Sequence, residues 1–374
     1  MRLTIGFDGK FLPRNAGSGS MSGNGVHARE LLSHLLSMDR ENRYRVYLPM
    51  RSADDRLPEG CDPVRLPGYA RSSMLRNVFA YRAELSRRPV DVLLCFYHVP
   101  LGTRCRTVLL LPDVFWVAHP EWLPWWMAFP RAVSVRRSVA AADRIVTTTR
   151  FSRDEIVRLF GVPESRIAIV PHGVRADFRE RMPQQRIEAV KEKIGTGAEY
   201  VLSVNDIHPR KNLVGLVEAF SSLKSRTGLP HRLVVAGRTL WRYPEFFDAV
   251  ERSRWRSDIV LAGYVDAQDV IPLYQGASLF VYPSYYEGWG LQVHEAMSAG
   301  VPLAIANNTT MPEISGGAAG EFDPYDVEEM AQCMIRILGD ADLRASMVRR
   351  GLEEVMKYSW EAAARRTLDV CLAA

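Results

Sequence analysis

The chain alternates short apolar runs with longer segments in which apolar residues recur every three or four positions. The first pattern predicts buried β-strands and the second predicts amphipathic α-helices, so their alternation favours parallel sheets covered by helices. In the first half, the predicted strands are "LTIGFD", "YRVYLP", "VDVLLCF", "TVLLLPD", "RIVTTT" and "RIAIVPHG". In the second half, they are "YVLSVND", "RLVVAG", "IVLAGY", "SLFVYPS" and "PLAIANN". Each half is therefore expected to form its own doubly wound sheet.

A charged segment from Val174 to Gly197, which ends in "GTG", separates the two series of strands. The predicted domains are an N-terminal Rossmann-like domain at residues 1–180, a C-terminal Rossmann-like domain at 181–357, and a final helix at 358–374. Ser359 is expected to cap that helix, with Glu361 in its first turn. A chain of 374 residues is long enough for two cores. Ligands of open parallel sheets bind beyond the carboxyl ends of the strands, which is where candidate residues are sought.

Composition narrows the class of protein. The chain is 47% hydrophobic and 24% charged, with a net charge of +5. That charge is too small to indicate a nucleic-acid partner, but it leaves room for an anionic substrate. The five cysteines form no CxxC pair, which fits thiols in a reducing compartment. Neither a signal peptide pattern nor an apolar run of 18 residues is found, and we expect a cytoplasmic protein.

The segment "PSYYEGWGLQVHEAMSAG" places Glu287 and Glu295 eight positions apart around a tryptophan between two glycines. Gly288 and Gly290 allow close approach of the backbone. A helix that begins near Leu291 offers amide groups and a positive dipole end to a phosphate. Glu295, one turn into the helix, could accept hydrogen bonds from ribose hydroxyls. This spacing is loose, however, and taken alone it fits a solvent-exposed glutamate pair beside a strand-to-helix turn at least as well.

Two more strand ends carry candidate residues in the second half. In "NDIHPRKNL", Arg210 and Lys211 could neutralise a diphosphate, or form a solvated basic turn before a helix capped by Asn212. In "AGYVDAQDV", the backbone at Tyr264 and Val265 could meet a planar base, or form an ordinary turn. Local sequence does not decide between these alternatives.

The first half offers weaker signals. The loop "NAGSGSMSGNGVHARELL" is rich in glycine, but it matches neither the dinucleotide fingerprint nor the phosphate-binding loop of ATPases. Asp113 lies at the end of the predicted strand "TVLLLPD". It is either a site residue or the cap of a helix or turn. Four of the eight tryptophans lie in "FWVAHPEWLPWWMAFPR". They predict an interfacial surface or a carbohydrate platform, or else core packing. Nearby basic residues could add attraction for anionic lipid, namely Arg71, Arg76, Arg82, Arg87, Arg88, Arg131, Arg136 and Arg137.

An ordered set of segments resembles the retaining GT-B glycosyltransferases of family 4. It comprises "PDVFWVAHPEW", "ADRIVTTTRFSRDEIVRLFGVPESRIAIVPHGV", "PRKNLVGLVEAF", "AGYV", "YPSYYEGWGLQVHEAMSAGVPLAIAN" and "PEISGGAAGEFDP". The likeness covers nearly the whole chain in the family's order. It implies an α/β protein with two Rossmann-like domains facing a central cleft. The C-terminal domain would hold a nucleotide diphosphate sugar, the N-terminal domain would hold the acceptor, and the last helix would cross back to the N-terminal domain.

The resemblance also implies roles for single residues. Glu295 would bind the donor ribose, and Glu287 would hold the transferred sugar. Lys211, with Arg210, would pair with the diphosphate. The other donor contacts implied are Tyr264 and Val265 at the base, the backbone of Gly288, Trp289, Gly290 and Leu291 at the phosphates, and Gly23, Asn24 and Gly25 from the first domain.

This chain departs from the family pattern at two points. Asn205-Asp206 stands where many members carry Gly-Arg, so Arg210 would supply the second positive charge. Pro112-Asp113 stands where many members carry His-Asp, so the usual histidine contact to the sugar is missing or comes from elsewhere. His98 or His119 would supply the missing histidine contact. Asn205 is a candidate donor contact, and His98, His119 and Trp116 are candidate acceptor contacts.

The reaction implied is transfer of a sugar with retention of anomeric configuration and without a metal or other cofactor. The departing diphosphate would be stabilised by cations and helix amides, with Asp113 orienting the acceptor or the sugar. "PRKNL" and "HPEW" are similar to bacterial mannosyltransferases of surface polysaccharides and favour GDP-mannose, with UDP-sugars as the alternative. The acceptor would be a glycan or a lipid-linked oligosaccharide at the inner face of the membrane. Rival interpretations are a sugar-nucleotide epimerase and a non-catalytic nucleotide-sugar-binding protein.

Overall fold

The computed structural model describes residues 2–12, 23–49, 57–67, 79–239 and 243–374. The chain forms two compact units, the first made of residues 1–173 with 358–374 and the second of residues 174–357. The boundary predicted after residue 180 therefore lies at 173. The reason is that Phe178 is buried in the second unit, where its ring packs edge-on against Tyr274 at 5.6 Å.

The first unit contains a parallel sheet of seven described strands. The strands are β1 (Thr4–Asp8), β2 (Arg43–Leu48), β3 (Cys61–Arg65), β4 (Val92–Phe96), β5 (Arg106–Leu110), β6 (Arg144–Thr147) and β7 (Ile167–Ile169). Their order across the sheet is β3-β2-β1-β4-β5-β6-β7. The described helices are α1 (Gly23–Met38), α2 (Tyr81–Arg87), α3 (Phe115–Ala118), α4 (Trp125–Ala141) and α5 (Arg150–Phe160), with 3-10 turns at Gly9–Phe11, Pro120–Trp122 and Glu164–Arg166.

The second unit repeats this plan with six described parallel strands. They are β8 (Tyr200–Val204), β9 (Arg232–Ala236), β10 (Ile259–Gly263), β11 (Leu279–Tyr282), β12 (Leu303–Ala306) and β13 (Gly320–Phe322), in the order β10-β9-β8-β11-β12-β13. The helices are α6 (Gln184–Ile194), α7 (Leu213–Thr227), α8 (Pro244–Arg252), α9 (Ala267–Gln275), α10 (Leu291–Ser298), α11 (Met311–Ser315), α12 (Val327–Gly339) and α13 (Ala341–Val355). The 3-10 turns are Ala176–Arg179, Pro209–Lys211 and Arg256–Asp258.

Both sheets reverse their strand order at a corresponding place. In the first unit the reversal lies between β1 and β4, and in the second it lies between β8 and β11. At such a point the connections on the two sides lead away from each other, which opens a crevice beyond the carboxyl ends of the strands. Within each unit, the residues that follow the two strands at the reversal are therefore the candidates for a site.

The last helix, α14 (Trp360–Ala373), belongs to the first unit and packs on α1. The Ser359 hydroxyl accepts a hydrogen bond from the Ala362 amide at 3.1 Å, so the predicted N-cap is confirmed. The Trp360 ring stacks on those of His172 and His27, with centroids 5.5 and 5.8 Å away. Gly173 lies so close that an added Cβ would be 2.1 Å from the Trp360 nitrogen. These contacts hold the end of the β7 segment against the start of α14.

Candidate active site

The loop after β8 presents two cations. His208 caps the turn Pro209–Lys211, and its Nδ1 accepts a hydrogen bond from the Arg210 amide at 3.1 Å. Burial, together with the charges of Arg210 and Lys211, lowers the pKa of His208 to about 4. The imidazole is therefore neutral at neutral pH and can accept that bond. Asn212 follows in a left-handed conformation with φ 51° and precedes α7.

The side chain of Asn212 does not cap α7. Its Nδ2 instead donates to the Pro324 carbonyl at 2.7 Å. Asn212 therefore stands at the start of α7, but the prediction that its side chain caps the helix is wrong. Its side-chain amide instead joins the loop after β8 to the segment after β13. That contact holds the base of the loop that carries Arg210 and Lys211.

Glu287 lies between the two cations. Its Oε1 is 2.5 Å from Lys211 Nζ and its Oε2 is 3.1 Å from Arg210 Nη1. Arg210 also donates to the Tyr286 carbonyl at 3.0 Å. The Glu287 side chain is only 7% exposed. Burial opposes its ionisation, but the charges of Arg210 and Lys211 outweigh burial and lower the pKa of the carboxyl. A buried carboxylate flanked by two cations leaves a net positive charge at the β8–β11 reversal.

Lys211 is held from a second direction by Tyr282, the last residue of β11. Lys211 Nζ donates to the Tyr282 hydroxyl at 2.8 Å, and that hydroxyl donates to Gln292 Oε1 on α10 at 3.2 Å. Burial lowers the pKa of Lys211, whereas the Glu287 carboxylate opposes this shift. The Lys211 amine is thus fixed by two partners, Tyr282 at the end of β11 and Glu287 in the segment that follows.

The turn into α10 requires a glycine. Gly290 has φ 100°, a conformation that side chains rarely adopt, and it immediately precedes Leu291, the first residue of α10. Trp289 is buried, with its ring edge-on to His294 at 5.0 Å. The Thr310 hydroxyl donates to the Trp289 carbonyl at 3.2 Å. The turn begins at the buried Gly288 and is held in place by the contacts of the Trp289 carbonyl and the Trp289 ring. Fixed amides at a helix start suit a phosphate.

Glu295 lies one turn into α10 and is half-buried. Its Oε2 accepts a hydrogen bond from the Tyr274 hydroxyl at 3.0 Å. Burial raises the pKa of Glu295, and the hydrogen bond from Tyr274 and the charge of Arg175 act against that rise. The carboxylate can therefore accept hydrogen bonds from hydroxyl groups of a ligand while Tyr274 holds it.

The Asn205-Asp206 pair, where the family pattern differs, follows β8. Asp206 forms a two-pronged ion pair with Arg238, with Nε 3.0 Å from Oδ1 and Nη2 2.9 Å from Oδ2. Asn205 is buried and donates to Ser203 Oγ at 2.9 Å. The sequence interpretation missed Arg238, for which the only signal was an arginine directly after the strand "RLVVAG".

The predicted base contacts lie at the end of β10. Tyr264 is 45% exposed and Val265 is half-buried. The Gly237 amide donates to the Gly263 carbonyl at 2.7 Å, which joins the ends of β9 and β10. Arg238 and Tyr264 therefore follow neighbouring strand ends, with Tyr264 open to a ligand.

The first unit brings a different set together at its reversal point. The Tyr97 hydroxyl, after β4, donates to Asn24 Oδ1 on α1 at 3.2 Å. Tyr97 has φ 57°, a rare conformation for an aromatic residue. Its ring lies 4.9 Å from that of Trp116. Gly23 is exposed and Gly25 is buried at the start of α1, whereas residues 15–22 of the glycine-rich loop lie outside the described residues.

Three other predicted residues of the first unit are placed by local contacts. His98 Nδ1 lies 3.0 Å from Ser134 Oγ. The His119 ring stacks on Trp122 at 4.1 Å, and its Nδ1 lies 2.9 Å from Glu121 Oε1. Asp113 is half-buried just after β5. His98 and His119 thus make separate contacts.

A buried ion pair that the sequence interpretation missed follows β1. Lys10 Nζ lies 3.1 Å from Asp8 Oδ2 and also donates to the Phe96 carbonyl at the end of β4. The Tyr81 hydroxyl donates to Asp8 Oδ1 at 2.8 Å. Lys10 therefore joins the two strands at the reversal. The only sequence signal was "DGK" directly after the first strand.

The tryptophan-rich segment is divided between two environments. On α4, the side chains of Trp125, Trp126, Phe129 and Val133 are 76%, 62%, 67% and 51% exposed. Core packing, one of the alternatives for this segment, is therefore wrong for Trp125 and Trp126. Trp116 and Trp122 are half-buried. Among the described residues, no helix combines the length and apolar character needed to cross a bilayer.

Two family models match this chain. Residues 184–354 match the model of glycosyl transferases group 1, and residues 21–178 match that of glycosyltransferase family 4. The chain is also 33% identical over 264 residues to the O-antigen chain mannosyltransferase B of Escherichia coli, covering 71% of this chain and 69% of that protein. The chain belongs to the family 4 glycosyltransferases.

Other proteins resemble this glycosyltransferase more distantly. The serotype-specific mannosyltransferase WbdA of Escherichia coli is 28% identical over 285 residues, which are 73% of this chain but only 33% of that longer protein. The structure of sucrose-phosphate synthase from Thermosynechococcus elongatus has a TM-score of 0.79 at 18% identity, covering 98% of both chains. That of WaaG, a glycosyltransferase involved in lipopolysaccharide biosynthesis, has a TM-score of 0.77 at 19% identity, covering 99% of this chain and all of that one. These structures confirm the predicted GT-B fold.

Proposed function

We propose that this glycosyltransferase transfers mannose from GDP-mannose to a glycan or lipid-linked oligosaccharide, with retention of configuration, during assembly of a bacterial surface polysaccharide. The observation that carries the proposal is the cluster of Arg210, Lys211 and Glu287 at the β8–β11 reversal, with Glu295 one turn into the adjoining helix. The mannose donor and the polysaccharide are suggested by the 33% identity to a protein named as an O-antigen chain mannosyltransferase.

The proposed reaction breaks the bond between the anomeric carbon and the donor phosphate oxygen. Negative charge grows on the departing diphosphate, where Arg210, Lys211 and the amides after Gly290 would stabilise it. Glu287 would hold Arg210 and Lys211 beside the diphosphate and would contact the transferred sugar. A donor phosphate oxygen would take the acceptor hydroxyl proton as the new glycosidic bond forms. Two cations and fixed amides can perform this stabilisation, so we propose that no metal is needed.

A thermal-shift screen with GDP-, UDP- and ADP-sugars tests the donor, because a ligand of the native state raises its melting temperature. GDP-mannose is expected to give the largest shift and Glu295→Ala to abolish it. A larger shift with a UDP-sugar would replace the donor assignment. Asp269→Asn is the matched control, since this buried carboxylate pairs with Arg186 and Lys193 rather than with the candidate site.

Product analysis separates the reaction classes. Incubation of GDP-mannose with an acceptor, followed by mass spectrometry and NMR, is expected to give an α-linked mannoside, the same anomeric configuration as the donor, in buffer with EDTA as in buffer without it. An epimerised sugar nucleotide formed without any acceptor would identify an epimerase. Donor breakdown that Glu287→Gln leaves unchanged would contradict a catalytic role for the cluster.

We also propose that the exposed aromatic face of α4 contacts an anionic membrane at its inner surface. Trp125, Trp126 and Phe129 project from this helix, and the exposed Arg131 and Arg136 lie on the same helix. Amphipathic aromatic and basic side chains suit the headgroup region of a bilayer. Sedimentation with phosphatidylglycerol vesicles is expected to fall in Trp125→Ala/Trp126→Ala. Tyr325→Ala, at an exposed aromatic residue of the second unit, is the control. Equal sedimentation of both variants would contradict the membrane contact.

A further inference from the structure

We propose that two buried tyrosines, Tyr274 and Tyr282, are positioning residues of the donor site, one holding Glu295 and the other holding Lys211. Neither tyrosine is among the residues that the sequence interpretation or the family resemblance assigned. The proposal rests on the proposed function, in which Glu295 meets the donor ribose and Lys211 meets the diphosphate.

Each hydroxyl contacts a charged side chain of the candidate site. Tyr274, on α9, donates to Glu295 Oε2 at 3.0 Å. Tyr282, at the end of β11, accepts from Lys211 Nζ at 2.8 Å and donates to Gln292 at 3.2 Å. Hydrogen bonds to charged groups are stronger than those between neutral groups. The two phenols therefore fix charges that otherwise have several rotamers available.

The tyrosine rings are parts of one buried aromatic row. The Phe280 ring lies between them, 5.4 Å from Tyr274 and 6.0 Å from Tyr282, and Phe178 packs edge-on against Tyr274 at 5.6 Å. All four rings are buried. Burial also raises the pKa of both phenols well above the usual value, so both stay protonated. A packed row cannot shift one hydroxyl by much without disturbing the others, which makes it a rigid support for Glu295 and Lys211.

The two contacts are expected to affect different steps. Ribose hydroxyls donate best to an ionised carboxylate, and burial raises the pKa of Glu295. The groups that act on this carboxylate are Tyr274 and Arg175, which favour its ionisation, and Asp177, which opposes it. Loss of the Tyr274 hydroxyl would therefore raise the pKa of Glu295 further and weaken nucleotide binding most at acidic pH. Lys211 instead meets charge that grows during the reaction.

The test uses Tyr274→Phe and Tyr282→Phe, which remove one oxygen atom each. Tyr200→Phe is the matched control, because the buried Tyr200 hydroxyl donates only to the Leu273 carbonyl, at 2.5 Å. GDP binding is measured by calorimetry between pH 5.5 and 8 on the full chain, and release of GDP from GDP-mannose gives kcat. Melting temperatures of the three variants verify that each is folded.

Tyr274→Phe is expected to weaken GDP binding about tenfold at pH 7, and more at pH 5.5. Tyr282→Phe is expected to lower kcat about tenfold with a smaller, pH-independent change in GDP affinity. A Tyr274→Phe protein that binds GDP like Tyr200→Phe at every pH would overturn the role of Tyr274. A Tyr282→Phe protein with the same kcat as Tyr200→Phe would overturn the role of Tyr282. Wild-type protein that binds none of GDP, UDP and ADP would instead overturn the proposed function, and the tyrosine roles with it.

Discussion

The two units have corresponding sheets, but their candidate residues are organised in different ways. At the β8–β11 reversal, the buried Lys211 and Glu287 and the half-buried Arg210 form one hydrogen-bonded cluster of charges. At the β1–β4 reversal, the Asn24–Tyr97 contact and the Lys10–Asp8 ion pair are separate interactions. A common topology thus determines where a site lies, whereas its chemistry depends on the side chains. Fixed cations suit an anionic ligand, whereas neutral hydrogen-bonding groups suit the hydroxyl groups of a ligand.

The largest expected effect comes from breaking the cluster of the second unit. Glu287→Gln removes the carboxylate that pairs with Arg210 and Lys211, and it is expected to lower the rate of mannose transfer about 1,000-fold. Asn24→Ala, at the corresponding place in the first unit, removes one neutral hydrogen bond and should lower the rate about tenfold. Initial rates with GDP-mannose and a fixed acceptor measure both. A loss from Asn24→Ala equal to that from Glu287→Gln would remove the contrast between the units.

Acid is expected to destabilise both units, and the largest contribution of a single histidine is expected from His27 in the first unit. Burial lowers the pKa of His27 from 6.5 to about 3, and that of His294 in the second unit to about 4. For a histidine whose folded pKa is depressed, the stability is present above the unfolded value near 6.5. It is lost as the pH falls towards the folded value, by up to about 1.4 kcal/mol per pH unit for each group.

The measurement is the melting temperature of His27→Gln and His294→Gln between pH 7 and pH 4. His27→Gln should flatten the pH dependence more than His294→Gln does. His34→Gln, on the half-buried side of the same helix α1, serves as control. Identical pH dependence of wild type and His27→Gln would show that this histidine is not the acid-sensitive group of the first unit.

The smallest expected effect concerns Asp206 and Arg238. Their ion pair is partly exposed, with the two side chains 39% and 26% accessible, and pairs of this kind contribute little. Asp206→Asn is expected to change the KM for GDP-mannose about threefold. Steady-state kinetics with GDP- and UDP-sugars would measure it. A much larger change confined to one nucleotide would make this pair a determinant of base choice.

Central strands were predictable from sequence because they are buried on both faces and therefore nearly all apolar. The strands β3 and β13 were missed for a physical reason. Both are sheet edges. The first is largely exposed and contains Pro63, and the second has only three residues. An edge strand need not be hydrophobic on both faces, so its pattern resembles that of a loop.

The candidate residues that sequence could identify are those that lie in consecutive motifs. Glu287 and Glu295 fall in one segment, and the resemblance assigned them roles. The residues that hold them were not predictable in this way. Tyr274 contacts Glu295 from 21 positions away, and Tyr282 contacts Lys211 from 71 positions away. The local sequence around a tyrosine in a helix or strand does not indicate such a contact, because the contact depends on how distant segments pack in the folded chain.

The close backbone contact of Gly173 with Ser359 and Trp360 bears on how the two units could be separated by protein engineering. It brings the two segments of the first unit side by side, so the second unit is an insertion within a fold that closes without it. A short linker that joins Gly173 directly to Tyr358 should then give a chain that folds as the first unit alone. The second unit could correspondingly be exchanged between related glycosyltransferases, because both junctions lie at this one backbone contact.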